Sequence, residues 1–148
     1  MNRVSPKPKT ARTTGYSGTP LAQKLGIKPG TRLYAKNAPP DYRKLLGPLP
    51  EDIAFLTRPG TQLDLIHLFV RTRAELAQAL ARFDRVMPDD GMIWVSWPKK
   101  ASGVQTDVTE DTIREVALPK GLVDVKVCAV DATWSGLKLV RRRVRRSG

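Results

Sequence analysis

The chain has one cysteine, Cys128, and one histidine, His67, among 148 residues. A single thiol excludes an internal disulfide and fits a reducing cytosol. So few sulfur and imidazole ligands also exclude a zinc-finger pattern. Long apolar runs are missing. The longest, LIHLFV with Leu63 just upstream, is far too short for a membrane-spanning helix. The first residues, MNRVSPKPKTARTTGYSG, lack the apolar core of a secretory signal, which points to a cytoplasmic protein with no membrane partner. There is no P-loop and no metal-ligand cluster. Ser102 and Ser135 each precede a glycine without completing G-x-S-x-G.

Acids are missing from both ends. Residues 1–18 carry Arg3, Lys7, Lys9 and Arg12, and residues 138–148 carry Lys138, Arg141, Arg142, Arg143, Arg145 and Arg146. These ten cations leave 16 basic and 14 acidic residues in the middle, so most of the net charge of +12 belongs to the ends. Such ends attract polyanions without reading sequence. Arg141, Arg142, Arg143, Arg145 and Arg146 are therefore candidate nucleic-acid contacts. Residues 1–18 are expected to be a disordered basic tail and 142–148 a basic C-terminal tail, flanking one α/β domain over 19–141.

A hydrophobic share of 41% is enough for a proper core. TPLAQKLG predicts a short helix, with Thr19 as cap, Pro20 at the first helical position and Gly26 at the end. Thr31 to Lys36 reads as a strand, NAPPDYRKLLG as a Pro-rich loop entering a helical turn, and Glu51 to Thr57 as a second strand. LDLIHLFV is apolar on both faces, as in a central strand covered from two sides. Thr72 and Glu75 form a capping box. Leu76, Leu80, Phe83 and Met87 then fall on one helical face, which Pro88 ends. MIWVSW is the next strand, and a helix is expected over about Thr109 to Leu118. Val123, Val125, Val127 and Ala129 alternate as in a half-exposed strand, and Leu137 to Val140 begins another, joined to it by a hairpin with Ser135-Gly136 near the turn. The pattern predicts a three-layer, Rossmann-like α/β sandwich, its sheet mostly parallel with an antiparallel C-terminal strand or hairpin.

Few residues combine into a site. His67 shares a strand face with Leu65 and Phe69 while Asp64 points the other way, so it reads as a hydrogen-bonded core residue. Cys128 reads as a structural thiol. WPKKASG, residues 97–103, stands out because α/β sheets bind ligands beyond the carboxyl ends of their strands. Lys99 and Lys100 suit a phosphate or carboxylate, Trp97 offers a stacking face, and Ser102 and Gly103 supply a polar turn. Asn37, after the first strand, is expected to share that crevice.

The order of elements resembles the class I methyltransferase fold. LDLIHLFV resembles that family's central strand, LAQALARFDRVMPDDGMIWVSW its next helix, turn and strand, and the C-terminal hairpin also corresponds. The cofactor of that family implies a glycine-rich turn after the first strand. Here the turn is AKNAPPDY, with no glycine. The acid implied after the second strand is replaced by Thr57-Arg58. Three longer strings, GYSGTPLAQKLGIKPGTRLYAKNAP, WPKKASGVQTDVTEDTIRE and GLVDVKVCAVDATWSGLKLV, are similar to a family of small bacterial proteins of unknown function, over roughly residues 15–142. That resemblance implies a bacterial cytoplasmic domain with no activity attached. The combined reading is a non-catalytic α/β domain without a cofactor or metal, binding a small anionic ligand or a protein partner at WPKKASG. The alternatives are a nucleic-acid-associated protein using its basic tails, and an S-adenosylmethionine-dependent methyltransferase-like enzyme.

Overall fold

The computed structural model describes residues 19–60 and 62–142. The tail calls on 1–18 and on Arg143, Arg145 and Arg146 lie outside these residues. One six-stranded sheet organises the described part, in the order β2-β1-β3-β4-β6-β5. Strands β1 (Arg32–Lys36), β2 (Ala54–Leu56), β3 (Leu65–Phe69) and β4 (Met92–Pro98) run parallel. Strands β5 (Leu122–Ala129) and β6 (Trp134–Arg141) form the antiparallel hairpin beside β4. The sheet is Rossmann-like and mostly parallel, as expected.

Two apolar layers cover it. On one face Ile66, Leu68, Ile93, Val95, Leu137 and Leu139 pack under α3 (Arg73–Phe83) and α4 (Glu110–Ala117). The predicted stripe Leu76, Leu80, Phe83 and Met87 is buried there. The opposite face presents Leu33, Leu65, Phe69 and Trp94 to α1 (Leu21–Leu25) and α2 (Tyr42–Leu46). Trp94 is fully buried, and its indole N–H donates to the Leu25 carbonyl at 2.9 Å, an acceptor left open by the end of α1. All five residues of β3 are buried, as a central strand between two layers must be.

Capping sets the long helices. Thr72 with Glu75 and Thr109 with Thr112 both close capping boxes. Three local expectations are corrected. Pro20, not Thr19, is the N-cap of α1, because Pro20 itself is still extended (ψ 148°). Helix α3 ends at Phe83, four residues before Met87. The hairpin turn lies at Asp131–Thr133, where Asp131 Oδ1 accepts the Thr133 and Trp134 amides at 2.8 Å each. Ser135 and Gly136 sit inside β6 instead. The half-exposed strand expected over Val123 to Ala129 forms within β5, where Val125 and Val127 are 54% and 48% exposed on an edge strand with a register break between Asp124 and Lys126.

Candidate functional site

The chain moves from β1 outward to β2, then back past β1 to β3 and β4, so the strand order reverses between β1 and β3. In open α/β sheets the ligand crevice opens beyond the carboxyl ends at such a reversal. Here that place is filled from the α2 side by Tyr42. Its hydroxyl oxygen lies 2.8 Å from His67 Nδ1, and His67 Nε2 lies 2.7 Å from Ser96 Oγ. His67 and Ser96 are fully buried and Tyr42 nearly so. His67 stacks on Phe69 with centroids 4.3 Å apart, and Tyr42 and Trp134 meet Phe69 edge-on. Burial holds the imidazole neutral, pushing its pKa down to about 3, and raises that of the Tyr42 phenol. A neutral ring donates from one nitrogen and accepts at the other, so the two hydroxyls play opposite roles.

A serine 2.7 Å from an imidazole has the parts of a nucleophile and base. Neither group reaches solvent, so no substrate meets them in this conformation. The reading of His67 as a hydrogen-bonded core residue holds. Asp64 turns away and accepts the Arg32 amide at 2.9 Å. The cleft beside the reversal point lies further out, between α2 and β1–β2. It measures about 500 Å³, with Leu33, Ala35 and Phe55 below and Asp41, Arg43, Lys44 and Thr57 around it. The Arg43 guanidinium lies 3.9 Å over the Phe55 ring.

The residues of WPKKASG are ordered and divide between core and surface. Trp97 is 8% exposed and packed in the α3–α4 layer, because strand alternation turns it inward beside Val95. The stacking face expected of it is not offered. The Lys99 amide donates to Thr133 at 2.7 Å, a 3-10 turn covers Lys100–Ser102, and Ser102 Oγ donates to the Lys99 carbonyl at 2.6 Å. Gly103 ends this turn in the left-handed region (φ 77°). Lys100 and Gly103 are exposed, and Lys99 and Ser102 partly so. Asn37 is exposed with φ 60°, at the end of β1, and β3 separates it from β4. Asn37 and WPKKASG share one edge of the sheet but not adjacent strands.

That edge has a consistent sign. β1 ends in Lys36, β2 is followed by Arg58, β3 by Arg71, and β4 by Lys99 and Lys100. None of these side chains has an ion pair among the described residues. All 14 acids of the sequence lie in the described part. Of those near this edge, Glu75 is committed to the amides of Arg71 and Thr72, Asp107 to that of Arg73 and Asp131 to its own turn, while Asp41 at the start of α2 makes no side-chain bond among the described residues. The amino edge carries both signs, with Glu51 and Asp52 before β2, Asp64 before β3, and Asp89 and Asp90 before β4, beside Lys28, Arg32, Arg85 and Lys120. Arg141, expected as a nucleic-acid contact, is tied to that amino edge. Its guanidinium bonds Asp84 Oδ1 at 2.7 Å, the Asp84 carbonyl, and the Met87 carbonyl at 2.8 Å. Arg142 is exposed, with its amide donated to Gly121 at 2.7 Å.

Residues 60–143 match the family described as "Protein of unknown function (DUF3052)". The chain belongs to this family. The match contains WPKKASG and the C-terminal hairpin, and the DUF3052 region begins after GYSGTPLAQKLGIKPGTRLYAKNAP. No curated protein matches the chain. Among solved structures, it is similar to the N-methyltransferase NodS from Bradyrhizobium japonicum WM9, at 11% identity over 82% of this chain and 93% of that one, TM-score 0.54. It is also similar to magnesium protoporphyrin IX methyltransferase from Synechocystis PCC 6803 with bound SAM, at 12% identity over 82% and 74%, TM-score 0.52. A protein in the NADB-Rossmann superfamily from Streptococcus agalactiae matches at 11% identity over 89% and 72%, TM-score 0.53. At such identities the likeness concerns the fold.

This DUF3052 chain lacks the glycine-rich turn through which such sheets hold an adenosine cofactor. The turn after β1 has Pro39 and Pro40 and no glycine, so the backbone cannot approach a ligand closely. Tyr42 fills the space above His67, and Thr57-Arg58 follows β2. Among the described residues no group of three acidic, histidine or cysteine side chains is placed to hold a metal, and no helix is long and apolar enough to cross a membrane. Sequence reasoning missed Tyr42 and Ser96. Ser96 left a trace, a hydroxyl interrupting a buried strand just as His67 interrupts another, and each such group needs a partner. Tyr42 left none, since its loop shows only that a turn is needed.

Proposed function

We propose that this protein is a non-catalytic binding domain that takes a small phosphate- or carboxylate-bearing ligand at the carboxyl edge of its parallel strands. One observation carries the reading: every parallel strand ends in or beside a lysine or arginine whose charge no acid neutralises among the described residues. Unpaired cations along the edge where such sheets bind ligands favour an anion. Lys99 and Lys100 on their ordered turn, with Ser102 and the exposed Asn37 along the same edge, are the proposed contacts. Arg43 and Lys44 flank the neighbouring cleft. The sealed Tyr42–His67–Ser96 group supports binding over catalysis, and the lone, partly buried Cys128 suits a reducing cytoplasm.

Calorimetry with pyrophosphate tests this. Binding heat is expected for the wild type, and a several-fold weaker affinity for Lys99→Ala with Lys100→Ala, with no fall in apo melting temperature. No heat at millimolar pyrophosphate sinks the reading. A large loss of apo stability in the double variant assigns the lysines to the fold instead.

A further inference from the structure

We propose that the carboxyl edge grips the phosphate backbone of a nucleic-acid duplex without reading its bases. The inference rests on the same cationic edge as the small-anion reading and extends it to a polymer. The first ground is extent. In spatial order the cations are Arg58 beyond β2, Lys36 on β1, Arg71 beyond β3, then Lys99 and Lys100 beyond β4. Neighbouring strands about 4.8 Å apart put roughly 14 Å between the outer members. That exceeds one phosphate group and corresponds to about four steps of duplex axis, at about 3.4 Å each.

The second ground is what this edge does not display. Single strands are held by stacking bases on aromatic rings. The exposed large apolar side chains among the described residues are Leu49, Leu118, Val125 and Val127, none of them aromatic. Trp97 and Trp134 are buried, and Phe55 lies under Arg43. A duplex has already stacked its own bases and needs only charge.

The basic chain ends are the rival cause, and the test keeps them intact. Full-length protein is titrated into a labelled mixed-sequence duplex and followed by fluorescence anisotropy over a range of salt. Two variants each lose five cations. One carries Lys36→Gln, Arg58→Gln, Arg71→Gln, Lys99→Gln and Lys100→Gln. The other carries Lys28→Gln, Arg32→Gln, Arg82→Gln, Arg85→Gln and Lys120→Gln, away from the carboxyl edge. The first is expected to bind at least tenfold more weakly at about 0.1 M salt and to lose about 0.9 of the log–log salt slope per contact removed. The second is expected to keep most of both. Equal losses in the two variants, or none in either, overturn the inference and assign binding to the tails or to net charge. Preference for a single strand over the duplex overturns it as well. If the five-residue edge variant does not fold, Lys99→Gln/Lys100→Gln and Lys36→Gln/Arg58→Gln serve separately, each expected to remove about 1.8 of the slope. Pyrophosphate separates the two readings. Loss of its binding with duplex binding intact sinks this inference alone, while duplex binding through the edge with no pyrophosphate heat sinks the small-ligand reading alone.

Discussion

Tyr42, His67 and Ser96 join three elements, α2, β3 and β4, through two hydrogen bonds inside an otherwise apolar layer. Removing one partner leaves a polar atom buried and unpaired, which costs more than the bond itself contributed. Tyr42→Phe and Ser96→Ala are each expected to lower unfolding free energy by about 1–3 kcal/mol in urea titrations. The combined variant is expected to be non-additive, because both bonds share one ring. His67 also sets an acid limit. Its folded pKa lies near 3, against 6.5 for an unburied imidazole, so below pH 6.5 the unfolded chain binds the extra proton. The stabilising effect of the neutral ring is complete above that pH and is lost as pH falls towards 3, by roughly 1.4 kcal/mol per unit from this group. His67→Phe is expected to flatten the fall of the urea midpoint between pH 6 and 4 by that one-proton slope, and an unchanged slope contradicts the burial argument. The histidine itself was legible because it interrupts an apolar run. Its partners were not, since a hydrogen bond across 25 or 29 residues leaves no local spacing.

Elements were legible where short-range chemistry decides them. The Thr72–Glu75 box lies within one helical turn, so its reading survives folding intact. Thr72→Ala is expected to cost about 1 kcal/mol, measured as a lower urea midpoint without change in slope. Ser135-Gly136 misled for the opposite reason. The dipeptide suits a turn, but Gly136 is placed by tertiary packing: a Cβ there would lie 3.3 Å from both Trp94 Cε3 and Val130 Cγ2. The small residue lets the Trp94 ring lie against β6. Gly136→Val is therefore expected to destabilise by about 1–3 kcal/mol and to shift the near-ultraviolet circular dichroism of the tryptophans. The valines of β5 show the limit of periodicity. Alternation says that two faces differ, but the register break and the edge position leave Val125 and Val127 half exposed. Substituting either by Thr should change stability by less than about 0.5 kcal/mol.

At the scale of the whole molecule, the distribution of charge matters more than its total. The sequence shows that acids and bases nearly balance outside the ends, but only the strand order brings Arg58, Lys36, Arg71, Lys99 and Lys100 onto one edge, while the other mixes acids with bases. Like charges gathered without partners repel one another in the folded state more than in the expanded chain. The edge therefore carries a stability cost that salt relieves by screening. Lys99→Gln with Lys100→Gln is expected to raise unfolding free energy by a few tenths of a kcal/mol at low ionic strength, and the gain should vanish at about 1 M salt, where the screening length is near 3 Å. Urea titrations at both salt concentrations measure it. A loss of stability at low salt would mean that the lysines hold the turn after β4. A gain that disappears with salt is what side chains kept for an external anion should show, since pyrophosphate or a duplex would then supply the counter-charge that the fold itself withholds.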